Sequence, residues 1–199
     1  TRDHRIISHT RAGNFAVEPA ADWIGINRIY DRKFIRGGYV GDTSAKLSAS
    51  EKRQLELAIA AQADGHYNKS KRYEIQVTSE RKRAQLHALD PRTITRDGGR
   101  TVLRVPEAEL SRWFRSPKVF DASAILSLAQ CDLEFFLEAI HRWDGDFTRK
   151  AQFLQRWDRA EMVGLVQAVA FLCGKSTNYA LYRKDSGKEY HAVSIYRKP

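Results

Sequence analysis

Twice along this chain a helical run closes on the dipeptide Asp-Gly, at Asp64-Gly65 and again at Asp144-Gly145, and the same order of shorter elements follows each time. Such a repeat constrains the fold more than either helix does, because each copy must bury its apolar face against the other. The first helix opens on a capping box, Ser48-x-x-Glu51, and carries Leu55, Leu57, Ala58, Ile59 and Ala61 at helical spacing. Alanine and leucine around most of its circumference predict burial on several sides and close approach to a neighbouring backbone. The second helix runs from Leu133 to Trp143, with Asp132 as its expected cap. Taken alone, the first stretch reads as an alanine-rich core helix with a solvated Asp64 before its terminal glycine. The other reading gives that carboxylate a positive partner such as a metal ion, because it faces the negative end of the helix dipole.

Between and beyond these helices the strand signals are regular. Across a Lys69-Ser70-Lys71 turn, residues 66–68 and 72–78 alternate, which sends Tyr73, Ile75 and Val77 inward. A helix over Glu80 to Leu89 stops before Pro91. A hairpin around Asp97-Gly98-Gly99 points Leu103 and Val105 inward, and Pro106-Glu107 opens a short helix expected to reach Phe114. The order is αββαββα. The second copy runs through a short hairpin, a helix from about Asp158 to Leu172, and strands near residues 178–183 and 190–197, without a final helix. Residues 1–42 lack helical period and read as a small β-rich segment, with repeats over 43–120 and 121–199.

The balance of 34 Lys and Arg against 24 Asp and Glu gives a formal charge of +10, which favours a polyanion, with nucleic acid the first candidate. No run is long enough to span a bilayer and the first residues lack a signal-peptide core, so an intracellular, cytoplasmic protein associated with the nucleoid is expected. Cys131 and Cys173 show no metal-ligand or disulfide pattern and read as small core residues.

The paired Asp-Gly helices, each followed by ββαββ, resemble the LAGLIDADG homing endonucleases of the two-motif monomeric type. Leu57, Ala58, Ala63, Asp64 and Gly65 match the first motif; Leu137, Asp144 and Gly145 match the second, where bulky His141, Arg142 and Trp143 stand in place of smaller residues. At the N-terminus Thr1-x-x-His4, with Phe15 to Trp23, resembles part of an intein splicing domain, although an exposed Thr and His at a ragged end fits equally well. No nucleophile at residue 1 and no terminal His-Asn pair accompany it. The resemblance implies an α+β fold of two pseudo-symmetric repeats, with curved antiparallel sheets forming a DNA-binding saddle around the central helix pair.

It further implies site-specific double-strand cleavage of DNA at a long, nearly non-palindromic target, which would promote mobility of the chain's own gene or intein. Asp64, Gly65, Asp144 and Gly145 would hold Mg2+ or Mn2+, with Ca2+ binding but not supporting cleavage. Two close carboxylates repel unless a divalent cation is shared between them, and such an ion activates water for attack on phosphate. Ser79, Gln155, Arg83, Arg159 and Lys118 fall at the family's accessory catalytic positions, and each reads equally as a solvated charge. Expected DNA contacts are His66, Asn68, Lys69, Lys71, Arg72, Glu74, Gln76, Arg92, Arg96, Arg100 and Arg104 in the first half. In the second they are Thr148, Arg149, Lys150, Gln152, Arg183, Lys184, Lys188, Tyr190 and Ser194. Arginine on guanine and glutamine on adenine are favoured pairings, while phosphate contact is the alternative for each position. A catalytically inactive DNA- or RNA-binding regulator or maturase on the same fold is the second reading.

Overall fold

A computed structural model describes residues 5–10, 15–19, 32–34, 46–145, 151–156, 159–175, 177–183, 187 and 189–196. The chain divides into two compact units, Thr1–Gly37 and Gly38–Pro199. In the first, β1 (Arg5–Thr10), β2 (Phe15–Pro19) and β3 (Arg32–Phe34) form an antiparallel sheet in the order β2-β1-β3. Thr1 and His4 lie outside the described residues.

The second unit is an α+β fold built from two pseudo-symmetric halves. In the first half, α1 (Ala49–Asp64) leads into β4 (Gly65–Asn68), β5 (Arg72–Val77), α2 (Glu80–Leu89), β6 (Ile94–Arg96), β7 (Arg100–Pro106) and α3 (Glu107–Leu110). The strands make one antiparallel sheet in the order β4-β5-β7-β6. Tyr73, Ile75, Val77, Leu103 and Val105 are buried on one face of it, so the two-residue period of the strands is met by the core.

The connector between the two halves is itself structured. The third helix stops at Leu110 instead of reaching Phe114, because β8 (Phe114–Ser116) pairs with β9 (Val119–Phe120); α4 (Ala122–Leu126) follows. The second half then runs α5 (Gln130–Asp144), β10 (Ala151–Arg156), α6 (Ala160–Leu172), β11 (Thr177–Arg183) and β12 (Glu189–Ile195). Its sheet order β10-β12-β11 reproduces β5-β7-β6 of the first half, each following strand pairing back in the same manner. Residues 146–150, where a counterpart of β4 would fall, lie outside the described residues.

The helices α1 and α5 pack against each other. Leu133, Phe136, Leu137, Ile140 and Trp143 form the buried stripe of α5, while Leu55 and every residue from Leu57 to Ala61 on α1 are essentially inaccessible. The bulky end of α5 fits because Glu56 of α1 receives it: Arg142 Nη2 and the Trp143 indole N–H donate to the same Oε1, at 3.0 and 3.3 Å. Asp132 is not a cap. Ala129 holds the N-cap position, and the fully buried Asp132 carboxylate accepts the Leu47 amide at 2.8 Å and pairs with Lys52 at 3.0 Å. A buried acid needs hydrogen-bond partners, and Asp132 takes the backbone amide of Leu47, which fixes the entry to α1. A row of ring contacts, Tyr67, Tyr73, Phe114, Phe120 and Phe136, with centroids 5.0 to 5.4 Å apart, runs from the first sheet through the β8-β9 hairpin to α5.

Two outcomes follow from this packing. Replacing the fully buried Ala61 by leucine overfills the core of α1 and should cost about 1–3 kcal/mol, read as a lower urea midpoint with an unchanged slope. Glu51, bonded by the Ser48 backbone N–H, by Arg112 and by the Ser48 hydroxyl, is held down to about 2. Its depressed value means its stabilisation is complete above the ordinary carboxylate range and is lost as pH falls through about 2. The stability gap between parent and Glu51→Gln should therefore close between about pH 4 and that point, measured by urea unfolding across pH.

Candidate functional site

The two Asp-Gly ends have the same geometry. Gly65 (φ −88°, ψ 155°) and Gly145 (φ −87°, ψ 156°) leave their helices in extended backbone, donating N–H to the carbonyls of Ala61 and His141. Glycine is required here by close approach, not by a left-handed turn: a Cβ would lie 2.3 Å from the Ala61 oxygen, or 2.5 Å from His141 Nδ1 and 2.6 Å from the His141 oxygen.

Around the end of α1 the side chains are cationic. Lys82 Nζ, from the first turn of α2, lies 2.6 Å from Asp64 Oδ2, both side chains a fifth to a quarter exposed. Lys118 Nζ donates to the Gly65 carbonyl at 2.8 Å. Lys118 is the left-handed residue of the two-residue turn between β8 and β9, at φ +64°, a conformation that normally selects glycine. It is held on three sides: its ammonium by Gly65, its carbonyl by Arg159 Nη1 at 2.6 Å, and its backbone N–H by the Tyr73 hydroxyl, whose pKa burial pushes up to about 12. Strain kept in place by surrounding contacts marks this turn as functional or structural machinery. At the other helix end, Arg81 donates to the Arg142 carbonyl, so successive residues of α2 each place a positive group on one helix terminus.

The expected catalytic set is thus split. Asp64, Lys118 and Arg159 converge, Asp144 ends the companion helix, Ser79 is the N-cap of α2, and Arg83 turns away to the Gly99 carbonyl at 3.1 Å. Gln155 pairs in register with His191. Lys82 was missed, although three successive cations from Arg81 to Arg83 in the first turn of a helix, where acids are favoured, is a visible anomaly. The expected magnesium ion does not fit this arrangement. The Asp64 carboxylate and the Gly65 carbonyl, its expected oxygen donors in the first half, each carry an ammonium group. A divalent ion at about 4 Å from one such group meets about 8 kcal/mol of repulsion at an effective dielectric near 20, twice the unit-charge value. Among the described residues no cluster of three His, Cys, Asp or Glu side chains is placed to hold a metal.

A second assembly lies on the outward face of the first sheet. Register places His66, Glu74 and Arg104 abreast, then Asn68 with Arg72, Gln76 with Val102 and Ile94, and Arg96 with Arg100. His66, Arg72, Gln76, Arg96, Arg100 and Arg104 are exposed. A hydrogen-bonded row crosses β5 and β7: Arg104 Nε donates to Glu74 Oε2 at 2.8 Å, Gln76 Nε2 donates to the other Glu74 oxygen, and Arg100 Nη1 donates to Gln76 Oε1 at 3.3 Å. The Arg104 bond, opposed by desolvation, leads in holding the Glu74 carboxyl below the usual carboxylate range. Lys69 and Lys71 are exposed on the adjoining turn, where the Asn68 side chain accepts the Ser70 and Arg72 amides. Arg92 is committed elsewhere: its guanidinium grips Glu109 and the buried Asp90, which also binds Arg53.

In the second half, Ser194 is buried and Tyr190 half-buried, pairing with Gln152 or Asn178 and with Arg156 or Tyr182. Arg183 pairs with Glu189, one residue out of phase with Tyr190. Thr148, Arg149, Lys150, Lys184 and Lys188 lie outside the described residues. No helix among those described is long and apolar enough to cross a membrane.

No protein-family model matches the chain, and no curated protein matches it. Among solved structures it resembles full-length DUF199/WhiA from Thermatoga maritima, at 13% identity and a TM-score of 0.46, over 76% of this chain and 53% of that one. The chain thus spans about half the length of that protein. The assignment to the homing endonucleases and to inteins is overturned: no family model and no curated protein supports it, and eight motif residues with a short terminal Thr-x-x-His pattern do not carry membership.

The Asp64–Lys82 pair can be weighed directly. A double-mutant cycle with Asp64→Asn and Lys82→Met should give a coupling energy of about 1 kcal/mol, in keeping with a partly exposed pair, measured by urea unfolding.

Proposed function

We propose that this chain binds double-stranded DNA through the outward face of the β4-β5-β7-β6 sheet, and that its helix ends join the two halves without hydrolysing phosphodiesters. The observation that carries the reading is the exposed row of Arg72, Gln76, Arg96, Arg100 and Arg104 on one sheet face of a chain with formal charge +10, the opposite face being core. Antiparallel strands present alternate side chains at a fixed spacing, and guanidinium and carboxamide groups are the donors and acceptors that match base edges and phosphates in a major groove. Glu74 and Gln76 orient two of these arginines before any ligand arrives, which lowers the cost of ordering them on binding. The neutralised Asp64 supports the non-hydrolytic part, since its carboxylate already has its counter-ion. The matched Asp-Gly ends are what a metal-dependent endonuclease with one aspartate per half would use, and that second reading enters the same experiment.

Fluorescence anisotropy on a labelled duplex should show binding that weakens steeply with salt, and each of Arg72→Ala and Arg100→Ala should lower the salt slope by about one if it contacts phosphate, or cost about 1–3 kcal/mol at one base position if it reads an edge. Unchanged binding in the double variant sinks the interface. Supercoiled plasmid should remain supercoiled with magnesium present; linear product would reinstate the endonuclease reading.

A further inference from the structure

We infer that Lys82 and Lys118 serve as built-in counter-ions at the end of α1, taking the two oxygens that a divalent cation would need, so that the helix pair is held together without metal. This goes beyond the DNA-binding proposal and does not depend on it.

Three observations carry the inference. Lys82 Nζ lies 2.6 Å from Asp64 Oδ2 and Lys118 Nζ lies 2.8 Å from the Gly65 oxygen, so carboxylate and carbonyl are each occupied by a hydrogen-bonded ammonium. Both lysines are delivered by geometry that is not incidental. Ser79 caps α2 by accepting the Lys82 amide, which fixes the turn carrying that side chain. Lys118 occupies a left-handed turn position and is tied through its own backbone to Tyr73 and to Arg159. Finally, α1 has no basic residue in its own last turn, whereas α5 supplies His141 and Arg142 to its end. The helix that lacks an internal cation is the one that receives two from elsewhere, which is what balancing a carboxylate at a negative dipole end requires.

Removing an ammonium should then create a metal site where none operates. The test uses the full chain, without DNA, and terbium(III) as the probe, read by luminescence sensitised by tyrosine and tryptophan and competed with magnesium. Parent protein should give no saturable signal that depends on Asp64. Lys82→Met, shown to be folded by circular dichroism, should gain a saturable site at least about tenfold tighter than any in the parent, and Asp64→Asn added to that variant should remove the gain. Should Lys82→Met not fold, Lys82→Gln retains a hydrogen-bond donor without the charge and should show the same gain. Saturable terbium binding by the parent that Asp64→Asn abolishes would overturn the inference, because the ammonium would then yield to the metal. A folded Lys82→Met or Lys82→Gln that gains no site overturns it as well.

Discussion

The fold depends on the contact between α1 and α5. An alanine-lined helix that is inaccessible from Leu57 through Ala61 can exist only if other elements surround it, and α5 closes one side while the first sheet, α2 and α3 close the others. The close approach has two consequences at the helix termini. The chain must leave each helix without a side chain at the first residue, hence Gly65 and Gly145. Two negative dipole ends and two aspartates are also brought to one region of the molecule, which demands positive charge there. Lys82, Lys118 and Arg81 answer that demand from elements outside the helix pair.

The same repeat that buries the helices sets out the sheets. β5-β7-β6 and β10-β12-β11 follow the same order behind their helices, and on the first sheet the inner face is committed to the core while the outer one is left to the polar alternation of the strands. On the first sheet that alternation yields a cross-strand row in which a single carboxylate, Glu74, sits among arginines, bonding Arg104 directly and Arg100 through Gln76. A uniformly basic surface would attract any polyanion, whereas a surface with one acid placed among its donors penalises a phosphate or base edge that arrives in the wrong register.

Much of this was legible in the sequence, for reasons that can be named. The capping box Ser48-x-x-Glu51, the alternation Tyr73-Ile75-Val77 and the Asp-Gly closures are local signals, each decided by residues within a few positions of one another, and they gave the αββαββ order and the helix pair. What was not legible depends on residues distant in sequence. Asp132 has the composition and place of a cap but serves the Leu47 amide. Lys82 is one cation in a basic run until α2 is docked beside Asp64. The β8-β9 hairpin was hidden because its turn carries lysine, not glycine, at the left-handed position. The family assignment failed differently: the eight motif residues describe a way of packing two helices, and packing alone does not specify chemistry.

That hairpin has a mechanical meaning for the molecule. Its turn residue is bound to the first half through Gly65 and Tyr73 and to the second through Arg159, while Phe120 touches Phe136 and its amide meets Met162 Sδ at 3.4 Å. The connection between the repeats is therefore a rivet rather than a tether. The two halves cannot slide past one another without breaking it, so their sheets are held at a set spacing, as the jaws of a locked caliper are.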